Sequence, residues 1–236
     1  MNRFQFKLFL AFFMVLDHIQ PLVPDTVGLV FHVVSRFVAV GFAYLAVEGF
    51  FYTRDVKRYT IRLGAFGLAM ALGNFILNLW LPKDGGIHNN ILLSLALGTM
   101  LLWVFRDMKK PMYRTLSILG LFFLSFFTEG GPFILAFMLG TYIFWNDRRK
   151  MGIFYLVFSL VLFGLTLPYA LETKHPIRTL GESPEFIFCI IFPILKLYNG
   201  KPGPKTPFTQ YFFYIFYPLH LWIIKCIEIF FISKPS

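Results

Sequence analysis

The sequence predicts an all-α, polytopic transmembrane helical bundle of about nine spans, and three observations predict it. Hydrophobic residues make up 57% of the 236 residues and only 14% are charged, whereas an average soluble domain is about half apolar and about a quarter charged. The mean hydropathy is +0.67. The apolar residues come in continuous runs of roughly the 20 residues that a helix needs to cross a hydrocarbon core of about 30 Å, without the period-two alternation of barrel strands. Lys and Arg fall mainly in the short connections between runs, which is how membrane topology is encoded. Backbone groups in lipid must be satisfied within their own segment, so helices are expected. Little chain is left for a soluble domain, and residues 1–236 read as a single integral membrane domain.

The spans are expected at 5–23, 27–51, 59–81, 89–105, 113–128, 131–145, 151–171, 184–199 and 207–232. Breakers close them: Pro21 and Pro24, Pro82 with Gly85 and Gly86, Pro111, Gly130 with Gly131, and the run from Gly200 to Pro207. Alternate connections are basic. Arg3 and Lys7 precede the first span; Arg54, Lys57, Arg58 and Arg62 follow the second; Arg106, Lys109, Lys110 and Arg114 follow the fourth; Arg148, Arg149 and Lys150 follow the sixth; Lys201 and Lys205 follow the eighth. The positive-inside rule then places the N-terminus in the cytoplasm and, for nine spans, the C-terminus outside; eight spans would reverse that end. No A-x-A-like cleavage site follows MNRFQFK, so the first span is expected to be uncleaved.

The excess of 22 Lys and Arg over 12 Asp and Glu is therefore read as topology, with no nucleic-acid partner. Cys189 and Cys226 lie in separate apolar segments and read as buried thiols without a disulfide. The oligomeric state is not set by any of this.

Ionisable residues inside such spans cost on the order of 2.5–3.5 kcal/mol each at a helix centre, so their positions carry information. Asp17 and His18 fall near the outer end of the first span, and His32 and Arg36, four apart, share one face of the second. Asn74 and Asn78 lie on the third, His88, Asn89 and Asn90 open the fourth, and Glu129 sits at the turn between the fifth and sixth. Tyr217, Pro218 and His220 lie in the last span, with Lys225 and Glu228 farther out. Tyr217, Pro218 and His220 are expected near mid-membrane and the others toward the outer side, so the polar residues converge on one side. Pairing of Arg36 with Asp17 or Glu129, with the asparagine amides completing the hydrogen bonds, would form a polar pocket open to the outside. The competing readings are structural: a solvated Asp17, an Arg36 that fixes packing, asparagines as interhelical glue, Pro218 as a kink, and Glu48 and Tyr44 as inner-half residues near the basic loop. His18, His32, His88 and His220 show no diagnostic metal spacing, and no metal is expected. No H-E-x-x-H, G-x-S-x-G, P-loop or G-x-G-x-x-G motif is present.

Five stretches, taken in order, carry a resemblance: KLFLAFFMVLDHI, VSRFVAVGFAYLAVEGFFYTRDVKRYTIRL, GIHNNILLSLALG, TEGGPFILAFMLGTYIF and FYIFYPLHLWII. Together they resemble the TraX family of bacterial membrane proteins over most of the chain. The resemblance implies a multi-pass protein of the bacterial cytoplasmic membrane, and an acyltransferase using acetyl-CoA, since the family takes its name from a conjugation protein needed for N-terminal acetylation of pilin. It also implies distant kinship with multi-span acyltransferases. The residues that match are Asp17 and His18, Arg36, Asn90, and the Tyr-Pro-x-His of Tyr217, Pro218 and His220. Ser94 stands where threonine is expected and Glu129 where aspartate is expected; both keep the chemistry.

Acyl transfer from a thioester needs a base for the nucleophile's proton, a role that histidine suits, and donors for the developing oxyanion. His18 is the expected base and His220 its rival; Asp17, Arg36 and Asn90 position substrate or stabilise charge. Asn74, Asn78, Asn90, Glu129 and Tyr217 are the expected substrate contacts. Adjacent helix residues project about 100° apart, so Asp17 serving Arg36 would leave His18 to another partner. The acceptor would be an amine or hydroxyl of an exported polypeptide such as pilin, or of an envelope molecule. The alternatives are a transporter or flippase, weakened by the absence of an internal repeat, and a non-catalytic assembly factor for pili or a secretion system.

Overall fold

A computed structural model describes residues 1–81, 86–204 and 206–229. The breakers Pro82 and Gly85, the cation Lys205 and the end of the ninth expected span, 230–232, lie outside the described residues. Among those residues the chain is all helical, with no strand. It divides into two compact units: Met1–Gly41 with Gly152–Ser236, and Phe42–Met151.

The first unit opens with α1 (Arg3–His18), started by a reciprocal cap in which Asn2 accepts from the Gln5 N–H and Gln5 accepts from the Asn2 N–H, each at 2.9 Å. The expected second span is interrupted. It forms α2 (Asp25–Ser35) and α3 (Phe37–Tyr52), parted at Arg36, whose N–H turns back to the Val33 carbonyl at 3.4 Å. Ser35 supplies the reason: its hydroxyl lies 2.6 Å from the Phe31 carbonyl and 3.1 Å from that of His32, competing with the helix ladder at that turn.

α8 (Arg148–Glu172) carries the chain back into the first unit. After it comes a short helix the sequence did not lead us to expect, α9 (Pro176–Glu182). The expected eighth span, 184–199, is not a continuous helix. It is a 3-10 segment (Glu185–Ile190), one α-helical turn, α10 (Ile191–Ile194), and a second 3-10 turn (Leu195–Leu197), with Pro193 inside it, which has no N–H to donate to the ladder. α11 (Pro207–Ile227) completes the unit, running through Pro218. α1 packs against α2 and α11, and α2 against α9. Phe6, fully buried, stacks on Tyr198 with ring centres 5.2 Å apart.

In the second unit α5 (Ile91–Asp107) is the central helix, packed against α4 (Val56–Asn78), α6 (Pro111–Ser125) and α7 (Gly131–Ile143). Leu101, Leu121 and Leu135 form its core. The helices approach closely at Gly98, where a Cβ would lie 2.2 Å from Met138 Sδ, and at Gly67, where it would lie 2.8 Å from Leu93. The expected breaker Gly130–Gly131 is a turn with φ of 73° and 48°, a region glycine enters without steric cost.

Among the described residues, three helical stretches are long and apolar enough to cross a membrane: Asp25–Tyr52, Val56–Asn78 and Arg148–Glu172. Of the remaining expected spans, α1, α5, α6 and α7 have 16, 17, 15 and 13 residues. These lengths do not confirm a count of nine.

Candidate functional site

The first unit brings Asp17, His32, Arg36 and Glu185 together at one place. Asp17, one residue from the end of α1, receives donors on both oxygens. Its Oδ1 accepts from His32 Nδ1 at 2.9 Å, from Ser35 Oγ at 2.9 Å and from Gln20 Nε2 at 3.3 Å, while Oδ2 accepts from an Arg36 guanidinium nitrogen at 2.8 Å. His32, Ser35 and Arg36 occupy the last turn and the end of α2, where spacing of three and four residues brings them to one face. The Ser35 proton is shared among Asp17 and two helix carbonyls and serves one at a time. With the side chains of Asp17 and Arg36 only 18% and 23% exposed, mutual neutralisation and these hydrogen bonds offset the cost of taking both ions out of water. Glu185, at the start of the 3-10 segment, brings a second carboxylate 3.6 Å from Arg36. The guanidinium retains an unspent donor: its Nε is buried without a hydrogen-bond partner among the described residues.

His18 projects away from this network. No described residue hydrogen-bonds its ring, which instead lies 5.3 Å, centre to centre, from the ring of His220 on α11. His220 is 7% exposed. Its Nδ1 lies 3.0 Å from the Phe216 carbonyl, one helical turn back. A carbonyl only accepts, so this contact assigns the hydrogen to Nδ1, and in the neutral ring the lone pair is on Nε2. That Nε2 is buried and meets no partner among the described residues. A buried acceptor left unsatisfied costs about 1–3 kcal/mol, so it marks a place where a ligand's proton would be welcome. Tyr217, 1% exposed, packs its ring 5.7 Å from that of His220.

The remaining expected site residues belong to the second unit, where they hold backbone. Asn74 donates to the Asn89 carbonyl at 3.1 Å. Asn78 donates to the Ile87 carbonyl at 3.0 Å and accepts from the Ile87 N–H at 2.8 Å. Asn90 caps α5 by accepting from the Leu93 N–H at 3.4 Å and donates to the Gly67 carbonyl at 2.8 Å. Glu129 accepts from the Asn89 amide at 3.4 Å through its carboxylate and from the Ser94 hydroxyl through its backbone carbonyl. Within the first unit Arg36 binds Asp17, as expected. Ser35, Gln20 and Glu185 were missed in the sequence: serine and glutamine beside span ends are unremarkable, and Glu185 stood at the edge of an expected apolar span.

An all-helical fold with stretches of membrane-spanning length, and a half-buried and a buried histidine beside an ion-paired aspartate and arginine, define a membrane protein with a polar site among its helices. The chain belongs to the TraX family: the family model for TraX protein matches residues 3–228. It is similar to a probable fimbrial assembly protein FimC, serogroup H1, of Dichelobacter nodosus, with 24% identity over 204 residues, covering 84% of this chain and 82% of that one. No solved structure matches.

Proposed function

We propose that this chain is a multi-pass acyltransferase of the bacterial cytoplasmic membrane, with a cytoplasmic N-terminus. It moves an acetyl group from acetyl-CoA to an amine or hydroxyl of an exported polypeptide, such as a pilin or fimbrial subunit, or of an envelope molecule. The observation that carries the reading is His220: an imidazole oriented by a backbone carbonyl, with its basic nitrogen buried and unspent. An acid–base group needs that arrangement before substrate arrives. Between the two histidines, His220 is the better base, because its orientation is fixed while His18 has no hydrogen-bonding partner among the described residues.

In the reaction, the acceptor's nitrogen or oxygen attacks the thioester carbonyl carbon and gives its proton to His220 Nε2. The carbonyl oxygen becomes an oxyanion, for which the unspent Arg36 Nε is a suitable donor. Collapse breaks the carbon–sulfur bond, and the thiolate takes the proton back from the imidazolium. Asp17 holds Arg36 in place at 2.8 Å and makes no hydrogen bond to His18 among the described residues.

Purified protein in detergent, given acetyl-CoA and an amine-bearing peptide, should release free CoA and add one acetyl mass to the peptide, and His220→Ala should cut both by about 10²–10⁴-fold. Full activity in His220→Ala with loss in His18→Ala would reverse the two roles. Absence of turnover with well-folded protein, across acceptors and acyl donors, would sink the enzyme reading. A second reading, a non-catalytic pilus assembly factor, draws support from the name of the FimC relative. On that reading, fimbriation in cells would survive His220→Ala.

A further inference from the structure

A cavity of about 870 Å³ opens in the first unit between the α1–α2 connection with the start of α2 and the segment from Lys174 through α9. These two stretches follow the first and the seventh expected spans, so the topology proposed above puts both on the outer side of the membrane. Lys174 and Arg178 are then cations on the side that the positive-inside rule leaves poor in them, and topology gives them no reason to be there. Two carboxylates, Asp25 and Glu182, stand on the same wall. Arg178 is bound to Glu182 at 2.9 Å. That leaves one cation, Lys174, and one carboxylate, Asp25, each exposed and each without an ion pair among the described residues. Asp25 is nevertheless near enough for its charge to act on Arg178. Pro21, Leu29 and Ile177 make much of the remaining wall aliphatic. Ile177 is 87% exposed, and Val27 and Val30 of α2 are exposed as well; apolar side chains in the open suit the boundary between head groups and acyl chains.

The lining separates ligand classes by their charge. A nucleobase is normally met by an aromatic face, and His175 is the sole ring on the wall among the described residues. A head group with negative charge alone favours a cluster of cations, and here it would meet Asp25 and Glu182 as like charges. A zwitterionic phospholipid carries one phosphate, one ammonium and two acyl chains, and each has a counterpart: Lys174, Asp25 and the aliphatic side chains. A primary ammonium brings N–H donors for the carboxylate, which a quaternary one lacks. We infer that this cavity holds the head group of an outer-leaflet phospholipid bearing a phosphate and a primary ammonium. The phosphate pairs with Lys174, the ammonium with Asp25, and the acyl chains leave past Ile177. The choice of leaflet rests on the proposed topology, and the binding does not depend on acetyl transfer.

The test titrates the full chain in detergent with phosphatidylethanolamine, phosphatidylglycerol or phosphatidylcholine of the same acyl chains, and native mass spectrometry reads the bound lipid. Phosphatidylethanolamine should bind about tenfold more tightly than either of the others. Asp25, Lys174 and Ile177 are exposed, so substitutions there leave stability little changed. Asp25→Asn should abolish the preference over phosphatidylglycerol. Lys174→Gln should weaken all three lipids about tenfold, and Ile177→Asp should weaken them without altering the order. Equal affinity of the wild type for the three lipids would overturn the inference, as would a preference that survives Asp25→Asn and Lys174→Gln together. Soluble phosphoethanolamine that displaces the lipid at equal concentration would overturn the lipid as the source of the head group, and a short peptide with a free amino terminus that does so would make this a polypeptide site instead. A lipid preference that holds in protein without acetyl transfer would keep the cavity's occupant and discard only the reaction.

Discussion

Asp17 and Asn90 both sit at or near helix ends, one in each unit, and both read from the sequence as polar groups too costly to be incidental in an apolar span. Their surroundings differ in kind. Around Asp17 stand the ionic or titratable Arg36 and His32 with the Ser35 hydroxyl and the Gln20 amide, and two buried nitrogens, His220 Nε2 and Arg36 Nε, lack partners among the described residues. Around Asn90 the amides of Asn74, Asn78 and Asn90 are directed to backbone atoms of the α4–α5 connection and its neighbours. Buried polar groups that complete backbone hydrogen bonds stabilise a connection; buried groups with capacity left over are available to a substrate. The difference separates a cluster with unspent hydrogen-bonding capacity from a structural clamp, although the residue types alone look equally suited to either.

The sharpest way to break this contrast is catalytic. His220→Ala should reduce acetyl transfer by about 10²–10⁴-fold, the usual contribution of a positioned acid–base group, whereas Asn74→Ala should leave turnover per folded molecule near wild type; a loss from Asn74→Ala as large as that from His220→Ala would erase the distinction. Next in size is stability. Asp17→Ala leaves Arg36 and His32 without their shared partner, and breaking a buried ion pair costs about 3–5 kcal/mol. The low end is expected, because the two side chains keep 18% and 23% exposure, and denaturant unfolding in detergent would measure it.

Asn90→Ala should cost about 1–2 kcal/mol through loss of the α5 cap, with the acceptor KM unchanged; a raised KM at unaltered stability would make Asn90 a substrate contact after all. The smallest effect concerns neither cluster and serves as a control. Asp147 lies outside the expected spans, and the backbone N–H of Lys150 at 3.0 Å and the Lys150 ammonium lower its carboxyl below the ordinary 3.8. A depressed acid contributes stability that is present above the ordinary value and is lost as pH falls through the folded one. Asp147→Ala should therefore lower Tm slightly at neutral pH, and the difference from wild type should close on acidification below 3.8. A gap that persists there would mean that the side chain contributes by packing.

Much of the first cluster was legible because charge in an apolar run has few explanations. Asp17, His18, Arg36 and His220 each stood out against their neighbours, and the four-residue spacing of His32 and Arg36 already put them on one face. The rest was hidden for physical reasons. Ser35 breaks the second span through its hydroxyl, and hydroxyl competition with helix carbonyls depends on a rotamer that no spacing reveals. Glu185 joins Arg36 because the segment 184–199 winds as short turns and not as the expected helix. The asparagines were legible as polar but not as spent, since an amide's partners are settled by which backbone atoms come within 3 Å or so of it.

By itself the sequence determined the helical class, the apolar segments and their breakers, and the few ionisable residues among them, because length, hydropathy and proline chemistry act locally. Only the tertiary structure decided which of those residues meet. The pairing of His18 with His220, across 202 positions of chain, and the capture of Arg36 by Asp17 follow from helix packing, which local chemistry permits but does not choose.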